Sequence, residues 1–224
     1  MPEKMKKNYS GFLTALLTAA LLMAAALLAL TVWLAVDSGR EHSAADFGFD
    51  DPKSTSDADG DGVDDYTDLM LGARAYIATQ PVYKSAYFAG GYPTDGTGVC
   101  TDVVWNAFAA AGYSLKDLVD ADIASAPDAY FRDGEKPDPN IDFRRVRNLL
   151  VFFRRNATEL TASLEDPADW APGDIVIFDG HIAICSDKRN ARGIPYIIHH
   201  GNIVEGAVEA DQMNRMPVVA HFRW

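Results

Sequence analysis

Apolar side chains dominate one long run near the start of the chain. Residues 11–36 contain no charged side chain, and as a helix this run is long enough to cross a hydrocarbon core of about 30 Å. Lysines precede the run and Asp37 follows it, which predicts a cytoplasmic tail at residues 1–10 and an extracytoplasmic remainder. A cleaved signal peptide is the alternative, but its apolar region is shorter, about 7–15 residues. We therefore favour an uncleaved, single-pass anchor in the cell membrane.

Polar side chains then take over, and a second apolar pattern begins about thirty residues later. Residues 37–56 show no apolar periodicity and predict a linker. An acidic stretch follows at 57–68, and residues 69–224 predict a folded domain. Its first half has helical periodicity, which predicts helices at 69–80, 100–111, 115–126 and 144–156.

The second half of this domain is rich in short β-branched runs. The runs "DIVIF", "HIAICSD", "PYIIHH" and "MPVVAHFRW" begin at residues 174, 181, 195 and 216, and turn sequences separate the first three. The helices come first and a small antiparallel sheet follows. This order predicts an α+β domain.

Composition narrows the possible partners. Hydrophobic residues make up 48% of the 224 residues and charged residues 23%, which is ordinary for a protein with a sizeable core. The net charge of −12 argues against a nucleic-acid partner, because phosphate binding needs a basic surface.

The two cysteines are too few for a disulfide framework in a domain of this size. Cys100 lies where a loop becomes a helix, and backbone N–H groups there favour a thiolate and can bind an oxyanion. Cys185 lies within a β-branched strand and is expected to be a core thiol beneath that helix. A Cys100–Cys185 disulfide is the less favoured alternative.

Two histidines are candidate partners for Cys100. His181 begins the strand "HIAICSD", and His199 or His200 ends the next strand. If these strands are neighbours, His181 can act as the base while one of the two later histidines orients it. Adjacent strand residues face opposite sides, so His199 and His200 cannot both join the site.

These residues carry a resemblance. The order of "GVCTDVV", "PGDIVIF", "HIAI" and "IIHH" resembles the papain-like, NlpC-type cell-wall peptidases. With "PDPNIDFRRV" added, the chain is still more similar to an uncharacterised bacterial family, domain of unknown function 1287, over about residues 69–224. The resemblance implies a papain-like α+β domain, with N-terminal helices packed on a small antiparallel sheet.

The resemblance also implies a function. We expect a membrane-anchored, extracytoplasmic cysteine hydrolase that cleaves an amide bond in peptidoglycan or its stem peptides. Cys100 is the expected nucleophile, His181 the base and His199 the third member of the triad.

Residues expected to bind the substrate are Tyr87 or Tyr92, since an upstream tyrosine often completes the oxyanion hole in such enzymes. Arg144 can bind a substrate carboxylate, unless it only begins a solvated helix. The family usually has Asp-Cys-Ser-Gly at the nucleophile, whereas this chain has Asp102 two residues after the cysteine. Asp102 is expected to oppose thiolate formation. It therefore motivates one alternative, a non-catalytic cell-wall-binding module that keeps the fold. A further alternative is an acyltransferase on the same scaffold, with an amine or alcohol as acceptor in place of water.

The acidic stretch "DADGDGVDDYTD" has the spacing of an EF-hand-type calcium loop. Gly62 stands at position six, where such loops turn sharply. A linker with turn residues is the alternative, but five carboxylates at these spacings repel one another unless a cation is present. The expected Ca²⁺ ligands are Asp57, Asp59, Asp61, Val63 through its carbonyl, Asp65 and Asp68.

Overall fold

The computed structural model describes residues 3–38, 40–132 and 134–224, which form two compact units, Met1–Arg40 and Glu41–Trp224. Helix α1 (Glu3–Ser38) makes up the first unit, and its segment Phe12–Val32 is long and apolar enough to cross a membrane. A signal sequence has the same character. Residues 1–2 of the predicted tail and residue 39 of the predicted linker lie outside the described residues.

The second unit begins with helices and ends with strands. Its helices are α2 (Asp65–Ala78), α3 (Cys100–Ala110), α4 (Leu115–Ser125), α5 (Pro127–Tyr130) and α6 (Val146–Asn156). Its strands are β1 (Val82–Tyr83), β2 (Thr97–Gly98), β3 (Thr158–Leu160), β4 (Ile175–Phe178), β5 (His181–Arg189), β6 (Pro195–His200), β7 (Ala207–Ala210) and β8 (Val218–Arg223). Short 3-10 turns lie at Ala44–Phe47, Asp142–Arg144 and Pro167–Asp169.

Six strands form an antiparallel sheet in the order β3-β8-β4-β5-β6-β7, and β1 and β2 form a separate parallel pair. The predicted α+β class is confirmed. Strands β3 and β7 were not expected from the sequence, because both are short edge strands without a buried apolar run.

Helices α2, α3 and α6 pack on one face of the six-stranded sheet. Ile182 and Ile184 of β5 point into a core shared with α2, α3 and α6, whereas Ala183 and Cys185 point into a second apolar cluster around Trp170. Cys185 is fully buried, and both cysteines are free. It is a core thiol as expected, but its place beneath α3 was wrong, because the strand alternation directs it to the opposite face.

The predicted linker at 37–56 is shorter than expected. The segment from Glu41 belongs to the second unit, where the backbone of His42 exchanges two hydrogen bonds with Arg189. The buried guanidinium of Arg189 lies 3.7 Å from Asp51 and over the ring of Phe49. These scattered contacts anchor the segment without a periodic pattern that sequence analysis could detect.

Helices α2 and α3 approach each other closely at Gly72. A Cβ added at this position would lie 2.4 Å from the Cβ of Ala110 and 3.0 Å from the Cα of Ala107. Only glycine therefore permits this packing, although a helix interior otherwise favours alanine.

We predict that Gly72→Ala destabilises the protein by about 1–3 kcal/mol, because the added methyl group forces the two helices apart. Thermal unfolding of the full chain in detergent measures the effect. Leu71→Ala, at an exposed position of the same helix, is the control and should leave the melting temperature nearly unchanged. Stabilisation by Gly72→Ala, as helix propensity alone requires, would contradict the close packing.

Candidate active site

Helix α3 begins with Cys100, and the residues around it leave little room. Val99, which precedes the helix, has extended backbone angles, and its N–H donates to Asp102 Oδ2 at 2.7 Å. A Cβ at Gly98 would lie 2.0 Å from the hydroxyl oxygen of Tyr76, so only glycine fits there. The turn into α3 is thus fixed by the Asp102 carboxylate on one side and by Tyr76 on the other.

The thiol of Cys100 is held against strand β5. The backbone N–H groups of Ile182 and Thr101 donate to its sulfur. Burial nevertheless raises the pKa of Cys100 to about 11, because these N–H groups offset only part of the cost of a buried anion. At neutral pH Cys100 is a protonated thiol. Although Ile182 faces α3, the preceding His181 pairs with Phe178 and points to the opposite face of β5, the face of Ala183 and Cys185.

His181 and His199 form the one histidine pair that the described residues bring into hydrogen-bond contact. Nε2 of His181 lies 2.9 Å from Nδ1 of His199, and the rings meet edge to face. Burial and, secondarily, the neighbouring His199 lower the pKa of His181 to about 4. His181 is therefore neutral at pH 7 and able to accept a proton.

The contact allows either ring to be the donor, and the role of His181 as a base requires one of these two arrangements. When His181 donates through Nε2, its Nδ1 keeps a lone pair and His199 accepts at Nδ1. His199 then carries its hydrogen on Nε2, a buried atom without a hydrogen-bond partner among the described residues. In this arrangement the free lone pair of His181 is at the nitrogen that does not face His199.

His200 lies on the other side of β6. Its Nδ1 is 3.5 Å from the hydroxyl of Tyr76, and its ring meets the edge of Tyr83. Burial lowers the pKa of His200, and the negative charge of Asp102 opposes this shift. Of the two candidates for the third position, His199 is thus the one that contacts His181. These two histidines lie on the sheet face of Cys185, whereas His200 lies on the face that packs against α3, near Tyr76.

Asp102 is neutralised by Arg144. Both side chains are buried, and the guanidinium donates through Nε to Asp102 Oδ1 at 2.7 Å and through its second nitrogen to Oδ2 at 2.9 Å. Trp105 Nε1 also donates to this carboxylate, at 2.7 Å. The effect of Asp102 on the Cys100 pKa is accordingly smaller than those of burial and the two N–H groups. Asp102 opposes thiolate formation, as expected, but its effect on the pKa of Cys100 is a minor one.

The three residues expected to bind substrate lie elsewhere. The guanidinium of Arg144 is occupied by Asp102, so the expectation that it binds a substrate carboxylate is corrected. Tyr87 is 58% exposed and its hydroxyl bonds to Asp138. Tyr92 packs against other aromatic rings. The tyrosine that the structure places beside Gly98 and Cys100 is Tyr76, which lies 24 positions before the cysteine, too far along the chain for a local motif to reveal it.

A cleft of about 600 Å³ opens along α2 and α3. Tyr76, Thr97, Asp102 and Trp105 contribute to its lining, and Cys100 does not. The cleft therefore borders the contacts behind the cysteine and not the thiol itself.

The acidic loop is the second predicted site. The carboxylates of Asp57, Asp59 and Asp61 offer oxygen atoms within 4.8 Å of one another. Asp65 and Asp68 lie in the first turn of α2 and are buried, and Val63 lies two residues before that helix. The structure thus brings three of the expected ligands together at the surface and places two more at the start of α2.

Residues 70–224 match the family model described as domain of unknown function (DUF1287). The chain belongs to this family. It is 35% identical, over 164 residues, to the uncharacterized protein YijF of Escherichia coli (strain K12). The match covers 68% of this chain and 78% of that protein. No solved structure matches the chain. The DUF1287 region contains Cys100, His181, His199 and the Asp102–Arg144 pair, and the acidic loop precedes it.

In this DUF1287 domain we predict strong coupling between Asp102 and Arg144. Either Asp102→Asn or Arg144→Met alone should cost about 3–5 kcal/mol, because each leaves a buried charge unpaired. The double variant should cost clearly less than the two single changes together.

Thermal and urea unfolding of the full chain in detergent measure the three variants. The control cycle pairs Arg147 with Glu135, whose exposed ion pair should couple by less than about 1 kcal/mol. Additive effects at Asp102 and Arg144 would show that the ion pair does not hold the start of α3.

Proposed function

We propose that this protein is a cysteine hydrolase that cleaves an amide bond in peptidoglycan or its stem peptides. The proposal is carried by a half-buried thiol at a helix start against β5, the strand whose first residue, His181, contacts His199. A nucleophile, a base and a group that orients the base are the parts that acyl transfer requires.

The chemistry begins from a neutral pair. In the proposed reaction the sulfur of Cys100 attacks the carbonyl carbon of the amide, and the thiol proton passes to Nδ1 of His181 while His199 holds the other nitrogen. This transfer requires the imidazole of His181 to reach the α3 face of β5. The carbonyl oxygen becomes an oxyanion near the backbone N–H of Cys100, which has no intrahelical partner at the first position of α3. Protonated His181 then gives its proton to the leaving amine, and a thioester remains.

Water completes the reaction. His181, again neutral, removes a proton from a water molecule that attacks the thioester carbon, and the proton returns to the sulfur as the acid leaves. The substrate class rests on the resemblance to NlpC-type peptidases of papain-like fold. The apolar segment Phe12–Val32 and the lysines before it support an extracytoplasmic location for this chemistry.

Two alternatives make different predictions. The non-catalytic module is favoured by Asp102, whose charge raises the pKa of Cys100, whereas the ion pair with Arg144 neutralises this carboxylate. The acyltransferase uses the same thioester but an amine or alcohol in place of water, so the masses of its products distinguish it.

We expect purified full chain in detergent to convert muropeptides into two smaller products that together contain one added water. Mass spectrometry reads the products. Cys100→Ser should abolish the reaction, and Cys185→Ala, which alters the other thiol, should retain it. Products joined to an added amine or alcohol would indicate transfer. An intact substrate, together with a thiol probe that labels wild type and His181→Ala at equal rates, would refute catalysis.

The two neighbouring histidines should differ in their effects. His199→Gln should lower kcat/KM by about 100-fold or more, because His181 loses the partner that fixes its tautomer. His200→Gln should lower it by less than about tenfold, since His200 contacts Tyr76 and not His181. Circular dichroism checks that both variants fold. The reverse order would assign the third position to His200.

The pH profile should follow His181. We expect kcat/KM to be level between about pH 5 and 9 and to fall below about pH 4, because the base must be unprotonated and its pKa lies near 4. Since the neighbouring His199 helps to lower this pKa, His199→Gln should move the acidic limb to higher pH. An acidic limb that stays in place in this variant would contradict the coupling of the two rings.

A further inference from the structure

The acidic loop at residues 57–68 lies outside the residues of the candidate active site. Asp57, Asp59 and Asp61 are exposed, and their oxygens lie within 4.8 Å of one another. Exposed carboxylates alone do not define a site, because water solvates them well.

A buried carboxylate at the end of the loop provides the second observation. Asp68 is 7% exposed, and its Oδ2 is buried without a hydrogen-bond partner among the described residues. A buried acceptor that lacks a donor is costly, and a carboxylate more so. The same helix start shows how such groups are normally satisfied, because Asp64 accepts from Ser54 and Thr67.

Asp68 also faces the other carboxylates. The four charges that act on it most strongly are all negative, and they belong to Asp61, Asp59, Asp65 and Asp57 in decreasing order. Burial and this repulsion both disfavour an unpaired carboxylate at this position. An unpaired carboxylate that is buried towards three exposed ones leaves a place for a cation.

We propose that the acidic loop binds a calcium ion through the carboxylates of Asp57, Asp59, Asp61 and Asp68 and the backbone carbonyl of Val63. These are positions one, three, five, twelve and seven of the loop, and calcium takes six to eight oxygen ligands, with water completing the set. Magnesium fits less well, because it requires strict octahedral geometry and keeps most of its water.

Asp65, at position nine, has a different role from the one expected. Its Oδ1 accepts from the N–H of Ala58 and its Oδ2 from the hydroxyl of Tyr113. Position nine commonly reaches calcium through a water molecule, so these bonds are compatible with the site. Asp65 holds the loop to the protein, and the other four carboxylates hold the ion.

The loop rests against the end of α3. Gly112 terminates this helix with a φ of 79°. A Cβ added at Gly112 would lie 2.9 Å from the Cβ of Asp59, so there is no room for a larger residue. Tyr113 follows and bonds to Asp65. A bound calcium ion therefore holds the start of α2 against the end of α3, and its loss should loosen this junction.

The test uses the full chain in detergent, stripped with chelator and titrated with calcium or magnesium chloride. We expect calorimetry to give a Kd for Ca²⁺ of about 0.1–1 mM, as in extracellular modules, and at least about tenfold weaker Mg²⁺ binding. About 10 mM Ca²⁺ should raise the melting temperature by about 3–10 °C. Asp59→Asn and Asp61→Asn should each weaken Ca²⁺ binding at least about tenfold. Asp128→Asn, an exposed carboxylate in α5, is the matched control and should respond like wild type.

Asp68→Asn separates a ligand from a purely structural residue. Without calcium this variant should melt at or above the wild-type temperature, because the amide removes a repelled, buried charge. With calcium it should melt below wild type, because a ligand is lost. A residue that only supports the fold would lower the melting temperature under both conditions. That result would overturn the proposal. So would an undiminished calcium response in the loop variants, or equal responses to Ca²⁺ and Mg²⁺.

Discussion

The buried ion pair between Asp102 and Arg144 holds the start of α3, and the position of the candidate nucleophile depends on it. Two buried charges are tolerated only when their hydrogen-bonding capacity is satisfied. Asp102 meets this condition with the guanidinium, the indole of Trp105 and the N–H of Val99. Because Val99 directly precedes Cys100, the same carboxylate that balances Arg144 also sets the backbone from which the thiol projects.

Burial determines the charge state of the site. The helix start and the Ile182 N–H both favour a thiolate, but desolvation outweighs them and Cys100 remains protonated. The same effect keeps His181 neutral. A site of this kind rests as a neutral thiol and imidazole, so the proton must move as the substrate is attacked. In the proposed reaction, substrate binding would exclude water and so strengthen the interaction of the N–H groups with the developing negative charge.

Local patterns in the sequence predicted the elements but not the long-range contacts. Helix α3 and strands β5 and β6 follow from periodicity, and their order suggested that His181 and His199 meet, as they do. The partner of Asp102 could not be found this way. Arg144 lies in a 3-10 turn forty-two residues away, within a basic run whose sequence is typical of a solvent-exposed helix start. The place of Tyr76 could not be predicted from the sequence for the same reason. Its place beside the cysteine depends on the packing of α2, which no motif records.

Helices α2 and α3 connect the two ends of the second unit. At one end, the acidic loop contacts Gly112 and Asp65 bonds to Tyr113. In the middle, Gly72 lies against Ala110, and at the other end Tyr76 lies against Gly98, two residues before the cysteine. Contacts this close resist sliding, because a shift of a few tenths of an ångström at a glycine produces a clash. If a change in the acidic loop moved α2 as a rigid element, Tyr76 would also move. The turn before Cys100, which Tyr76 contacts, would then shift with it. The loop and the thiol lie at opposite ends of α3, so the helix pair, and not direct contact, is the physical route by which one could influence the other.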